Sequence, residues 1–162
     1  MDVPQRKRLR LPADLYAEPG RAFSVTIGTA PRGPIFADIA FGRDCIAALK
    51  RHCDRTATRC YAYCLMPDHV HLLVGVGQHV PLPTFVGTWK SLCGAVRRRH
   101  GGSGQFWQRS FFDRAIRDNE PLDQTALYIL ANPVRAGLAI SVGDYPLAGS
   151  FEFEVTGATI QK

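Results

Sequence analysis

The segment that most constrains the fold is a pair of apolar runs separated by two residues. RCYAYCLM (59–66) and HVHLLVGV (69–76) are rich in β-branched, aromatic and aliphatic side chains, which is typical of strands. Pro67-Asp68 leaves room for only a tight connection between them. The two runs therefore predict an antiparallel hairpin at the centre of the fold.

The flanking patterns extend this hairpin into a larger unit. A strand at 21–30 and an amphipathic helix at 38–53 precede it, and a helix at 81–100 and a strand around 110–116 follow it. The order β-α-β-β-α-β predicts an α+β fold with a ferredoxin-like antiparallel sheet and both helices on one face. A third helix, capped by Asp118 or Asn119 and running to about Ala131, is expected to dock on the open face.

With 162 residues, the chain has room for one domain with a core. We divide it into a basic N-terminal arm (1–20), a folded domain (21–149) and a C-terminal tail (150–162), with mostly irregular structure expected from about residue 139. No apolar run approaches the roughly 20 residues that cross a bilayer, so no membrane association is expected and the cytoplasm is the predicted location.

The net charge of +6, from 20 Lys and Arg against 14 Asp and Glu, favours a polyanionic partner, with nucleic acid ahead of a membrane surface. Four basic residues lie at the start of the chain, at positions 6, 7, 8 and 10. The predicted DNA-binding arginines are Arg97, Arg98, Arg99, Arg109, Arg114 and Arg117.

His69-Val70-His71 is the strongest local motif. Side chains alternate across a strand, so the two histidines are expected on one face, opposite the buried face formed by Val70, Leu72 and Val74. Two imidazoles at i and i+2 can bind one divalent metal. A bare HxH is also compatible with an ordinary hydrogen-bonded pair, and by itself it specifies no reaction.

Tyr128 and Asn132 form the second motif, because residues at i and i+4 share a face of a helix. An amide oxygen from Asn132 beside two imidazoles would suit Mg²⁺ or Mn²⁺. Tyr128 would then be the nucleophile. A phenol has a pKa near 10 and needs a polarised phosphate to react at neutral pH, and the metal would supply that polarisation. The combination predicts phosphodiester transesterification.

Three blocks carry a family resemblance: YAYCLMPDHVHLLV (61–74), FWQRSFFDRAIRD (106–118) and YILANPVRAGL (128–138). In content, order and spacing they resemble the REP-associated tyrosine transposases, a branch of the single-tyrosine HUH transposases related to insertion-sequence transposases. The likeness covers residues 21 to 149. The sequence departs from the family pattern in DYPLAGS (144–150), which has Leu147 and Ala148 where an aromatic residue and a serine are expected.

The resemblance implies a metal-dependent enzyme that cuts single-stranded DNA near a hairpin through a 5′-phosphotyrosine, leaving a free 3′-hydroxyl. It assigns His69 and His71 as metal ligands, Asn132 as the third ligand and Tyr128 as the nucleophile. Arg135 and Gly137 match the RAG part of its motif, with Gly137 interpreted as a turn residue. Relatives act as monomers or homodimers, and the block around Trp107 is expected to be structural.

Three other interpretations stay open at this point. The protein could be a hairpin-binding module that no longer cleaves, or a metal phosphodiesterase that uses water instead of Tyr128. It could also be a small zinc protein, because Cys60 and Cys64 lie four apart in a predicted strand and would share a face near the two histidines. For the five cysteines, buried free thiols in a reducing compartment are the favoured interpretation.

Overall fold

The computed structural model describes residues 11–31, 33–157 and 159–161. The helices are short at the two ends of this region and long in the middle: α1 (Ala13–Ala17), α2 (Ile39–Thr56), α3 (Leu82–Arg99), α4 (Leu122–Leu130) and α5 (Asn132–Arg135). The strands are β1 (Ala22–Gly28), β2 (Arg59–Met66), β3 (His69–Gly75), β4 (Phe112–Ala115), β5 (Ala148–Gly149), β6 (Glu154–Thr156) and β7 (Thr159–Gln161).

Five strands form one antiparallel sheet in the order β4-β1-β3-β2-β5. Its first four positions are those of the ferredoxin-like arrangement predicted from the sequence, and β5 adds an edge beside β2. The predicted hairpin is confirmed, with Met66 paired to His69 across the turn. The α+β fold class is therefore confirmed.

The face of the sheet covered by α2 and α3 contains the larger core. Alternate residues of β3 enter it, namely Val70, Leu72 and Val74, and the two helices contribute aromatic and aliphatic side chains such as Leu49 and Trp89. All five of these residues are fully or almost fully buried. Phe106 and Trp107 complete this core, which confirms the structural role expected for the Trp107 block.

Helix α4 covers the opposite face and buries a second, smaller core. Ala126, Ile129 and Leu130 pack there on Leu73 and on Ala62 of β2. Pro121 precedes the helix and gives it no side-chain cap, so the predicted cap at Asp118 or Asn119 is wrong. The predicted end near Ala131 agrees with the observed end at Leu130 to within one residue.

The two ends of the described chain are more ordered than the sequence indicated. Residues 11–20 of the predicted arm contain α1, whose Tyr16 is buried and stacked on Phe23; residues 1–10, with their four basic side chains, lie outside the described residues. The tail forms the hairpin β6-β7, whose Val155 and Ile160 pack on the second core. The sequence did not predict α1 or this hairpin, because single apolar residues that dock on a distant core leave no periodic pattern.

Leu147 in the divergent DYPLAGS segment is fully buried against α2. It lies directly over Gly42, where any Cβ would collide with its side chain. The departure from the family pattern is therefore accommodated by close helix-to-loop packing at this glycine. Within the described ranges, the structure contains no helix with the length and hydropathy needed to span a membrane.

Candidate functional site

The two histidines of β3 lie on one face of the sheet, the one that α4 covers. Their Nε2 atoms are 3.0 Å apart, and their rings are nearly perpendicular, at 87°. Strand alternation produces this arrangement because Val70, between them, is buried in the opposite core. The predicted convergence of His69 and His71 on one point is confirmed.

Each imidazole is held in place through its other nitrogen. His69 Nδ1 donates to the Asp68 carboxylate at 2.7 Å, and His71 Nδ1 lies 3.2 Å from the hydroxyl of Thr26, its cross-strand partner on β1. A carboxylate only accepts, so Nδ1 of His69 carries a proton and its Nε2 presents a lone pair when the ring is neutral. Polar partners of this kind fix the orientation of metal-binding imidazoles in proteins.

The donor pair fits a divalent cation. Two nitrogens 3.0 Å apart match neighbouring corners of an octahedron with metal–nitrogen distances of about 2.1 Å. Without a metal, the same two atoms share one hydrogen bond, so one nitrogen must lose a proton when a cation binds. Among the described residues, no group of three or more His, Cys, Asp and Glu side chains could hold a metal, so any third protein ligand would have to be of another type.

The electrostatic surroundings favour a neutral His71. Burial lowers its pKa to about 4, and the neighbouring His69 and Arg135 act in the same direction. The imidazole is therefore unprotonated at neutral pH, which is the form that coordinates metals.

Tyr128 lies on α4 and is 67% exposed. The other four tyrosines are buried or half-buried, and burial raises the pKa of both Tyr63 and Tyr145. Tyr128 also lines an open cavity of about 230 Å³ together with Arg114, Glu120 and Gln124. Tyr128 is the most exposed of the five tyrosines, and its helix packs on β2 and on β3, the strand that carries the histidines.

Asn132 is placed differently from the prediction. Helix α4 ends at Leu130 and Asn132 begins α5, so the two residues do not share the face of one continuous helix. The Asn132 amide nitrogen donates to Ile129 O at 2.8 Å, and its oxygen accepts from Arg135 at 3.0 Å. The bond to Ile129 O fixes the orientation of the Asn132 amide. The side chain of Arg135, which also donates to Tyr128 O, connects this amide to Tyr128; a shared helix face does not.

Comparisons with known proteins identify the family of this chain. Residues 23–132 match the family model described as "Transposase IS200 like". The chain belongs to the IS200-like transposase family. A candidate REP-associated tyrosine transposase of Haemophilus influenzae is 31% identical over 121 residues, which cover 67% of this chain and 68% of that protein.

Two solved structures share the fold of this IS200-like transposase. One is a REP-associated tyrosine transposase bound to a REP hairpin, with a TM-score of 0.68, 19% identity and coverage of 88% of this chain and 82% of that one. The other is a candidate transposase from Deinococcus radiodurans, with a TM-score of 0.50, 20% identity and coverage of 60% and 79%. The family resemblance drawn from the three sequence blocks is confirmed.

The predicted face-sharing of the two strand cysteines in this transposase is wrong. A bulge between Cys60 and Ala62 breaks the alternation of β2, so Cys60 enters the larger core and Cys64 the smaller one. All five cysteines are free and buried, and burial raises the pKa of Cys64 to about 12. The zinc interpretation therefore has no support, because these thiols are neutral and divided between two cores.

The six predicted DNA-binding arginines occupy three different settings. Arg97 packs over the ring of Phe106 at the end of α3, while Arg98, Arg99, Arg109 and Arg117 are exposed. Arg114 makes a two-armed ion pair with Glu120 and holds the pKa of that carboxyl down to about 2. The charge of Arg114 is thus already compensated within the protein.

Sequence reasoning missed the residues that support the histidines. Asp68 was interpreted only as part of a tight turn, and Thr26 was not singled out. A carboxylate directly before an HxH strand is a signal that could have identified Asp68. Thr26 depends on strand register, which one sequence alone does not specify.

Proposed function

We propose that this protein is a metal-dependent single-stranded DNA endonuclease and strand transferase that cuts near hairpins. The observation that carries the proposal is the pair of imidazole nitrogens 3.0 Å apart, on the sheet face covered by the helix that bears the exposed Tyr128. The family assignment supports transposase chemistry, and the relative solved with a REP hairpin supports hairpin DNA as the substrate class. The active unit would be a monomer or a homodimer.

His69 and His71 would hold a Mg²⁺ or Mn²⁺ ion, with the Asn132 amide oxygen as the third protein ligand. Bound there, the ion would supply Lewis-acid stabilisation of charge on the scissile phosphate. Asp68 and Thr26 keep the imidazoles oriented, which limits the reorganisation that binding requires.

Tyr128 would form the covalent bond. Its phenolic oxygen loses a proton and attacks the phosphorus, the bond from phosphorus to the 3′-oxygen breaks, and that oxygen takes up a proton. The products are a 5′-phosphotyrosine and a free 3′-hydroxyl. Attack by a 3′-hydroxyl on the phosphotyrosine reverses the step and rejoins a strand, so no external energy source is needed.

Incubation with a single-stranded hairpin oligonucleotide and Mn²⁺, followed by denaturing electrophoresis, tests the mechanism. The wild type should yield a protein–DNA adduct, and Tyr128→Phe should bind the hairpin and the metal without forming an adduct or cutting. Tyr61→Phe is the matched control, because Tyr61 lies on β2, is half-buried against the smaller core and stacks on Phe153. It should form the adduct at the wild-type rate.

The possible outcomes separate the open interpretations. Cutting without an adduct would indicate a water-using phosphodiesterase, and hairpin binding without cutting would indicate a module that only recognises DNA. A Tyr128→Phe protein that still attaches covalently to its substrate would exclude the assigned nucleophile.

Single-strand binding should depend steeply on salt. We propose that exposed arginines contact phosphates and release counterions on binding. They lie at the end of α3 and beyond it, namely Arg98, Arg99, Arg109 and Arg117. Arg97 would join them, and so would Arg114 once it is released from Glu120. The measurement is the slope of log Kd against log salt concentration. A flat slope between low and moderate ionic strength would exclude this role.

A further inference from the structure

One side chain joins the two helix-borne residues of the candidate site. Arg135 Nη2 donates to the backbone carbonyl of Tyr128 at 2.9 Å and to the amide oxygen of Asn132 at 3.0 Å. Its Cζ also lies 4.1 Å from the centre of the Tyr128 ring, within cation–π distance. Three contacts thus hold the guanidinium against the proposed nucleophile.

The remaining donors of this guanidinium are unused. A guanidinium has five N–H donors, and both acceptors described above bond to Nη2. Within the described ranges, neither Nε nor Nη1 of Arg135 has a hydrogen-bond partner in the protein. Arg135 is exposed, so solvent and ligands reach these donors.

The charge of Arg135 is also uncompensated, which distinguishes it from Arg21 and Arg114. Arg21 is ion-paired with Glu18 and Asp118, and Arg114 with Glu120. In the part of the chain that the structure describes, no carboxylate lies within ion-pair distance of Arg135. Its positive charge nevertheless acts on His71, where it favours the neutral imidazole.

From this arrangement we propose that Arg135 binds a phosphate of the substrate strand through its unused Nη1 donors, while its Nη2 donors position Tyr128. The inference rests on the proposed function for its substrate. Hydrogen bonds from a guanidinium to a phosphate are charge-assisted, so one side chain would connect the anion to the helix that carries the nucleophile.

The experiment uses full-length wild type, Arg135→Met, Arg135→Lys, Arg135→Ala and the control Arg51→Met. Arg51 is an exposed arginine of α2, the helix that packs on the opposite face of the sheet. Hairpin oligonucleotides carry a neutral methylphosphonate at one linkage at a time around the cut position, and both binding and single-turnover adduct formation are measured.

We expect Arg135→Met to slow adduct formation by about 100-fold, as for loss of a preorganised donor to a reacting anion. Arg135→Lys should recover only part of the rate, because an ammonium lacks the planar array of donors that would bond Tyr128, Asn132 and the phosphate together. Arg51→Met should behave as wild type. One methylphosphonate position should weaken binding by the wild type and by Arg51→Met, but not by Arg135→Met. Added guanidinium ion should partly restore the rate of Arg135→Ala.

An equal methylphosphonate penalty at every linkage in wild type and Arg135→Met would overturn phosphate binding by Arg135. An unchanged rate of adduct formation in Arg135→Met would overturn the positioning role. If the wild type itself forms no adduct, the proposed function fails, while the methylphosphonate binding series still decides whether Arg135 contacts a phosphate. Thermal melting of each variant identifies loss of folding, which guanidinium ion does not rescue.

Discussion

The two faces of the central sheet are formed by alternate residues of the same strands, yet they have different compositions. On the side of α2 and α3, β3 contributes Val70, Leu72 and Val74, each fully buried among aromatic rings. On the side of α4, it contributes His69 and His71, whose polar atoms bond to Asp68, Thr26 and each other.

This difference explains how a small domain can tolerate a polar site in its sheet. The larger core provides most of the apolar burial, and it does so through residues that do not touch the site. The α4 face can then keep histidines, an exposed tyrosine and an uncompensated arginine at a lower cost to folding. Substitutions on the two faces should therefore separate stability from activity.

The largest expected loss of activity on the α4 face follows from removing an imidazole. His69→Ala or His71→Ala should reduce the rate of adduct formation by more than about 100-fold. Removing only the hydrogen-bond partner of a metal ligand already costs up to that much, and these variants remove the ligand itself. Because Tyr128 remains, excess Mn²⁺ should restore part of the rate. Isothermal titration with Mn²⁺ measures the metal affinity directly, and unchanged affinity in both variants would exclude the metal site.

Leu72→Ala should have the opposite effect, a large loss of stability without a loss of chemistry. Removing this fully buried side chain is expected to lower the free energy of unfolding by about 2–5 kcal/mol. Denaturant unfolding measures the change. Adduct formation under conditions where the variant is folded should match the wild type; a slower rate would show that the two faces are coupled.

The strand alternation on which this comparison depends could be predicted from the sequence. His69-Val70-His71, followed by apolar residues, determines which residues of β3 face which side, and the structure confirms it. The same reasoning failed on β2, because the bulge after Cys60 inserts one residue and reverses the sides of everything before it. A bulge depends on backbone pairing, which periodicity does not reveal.

The helix-borne half of the site was predicted less well than the strand-borne half. Helical spacing placed Tyr128 and Asn132 on one face, but α4 ends between them. What connects them is the side chain of Arg135, through contacts that depend on the angle between α4 and α5. Gly137, with φ +72°, was correctly interpreted as the turn that follows.

Each face also has one aspartate–histidine pair, and this allows a matched test. Asp68 bonds His69 on the site face, and Asp44 bonds His100 at the end of α3, both at 2.7 Å. Asp68→Ala should weaken Mn²⁺ binding by about 10–100-fold, because the imidazole loses its orienting acceptor. Asp44→Ala should leave it unchanged, and an equal loss in both variants would show that Asp68 acts only through overall charge.

The smallest expected effect concerns acid stability on the α2–α3 face. His52 is almost fully buried, stacked on Phe85 at 4.5 Å with Nε2 3.1 Å from the Phe85 carbonyl, and burial lowers its pKa. The unfolded chain takes up this proton near pH 6.5, while the folded protein resists it. The stability that depends on a neutral His52 is therefore fully present above pH 6.5 and is lost as the pH falls below that value.

His52→Gln cannot titrate, so its melting temperature should be lower at pH 7 but should fall less steeply between pH 7 and pH 5 than that of the wild type. A residual slope is expected, because the lowered pKa of His71 acts with the same sign. Equal slopes in the two proteins would assign the acid sensitivity to the site face alone.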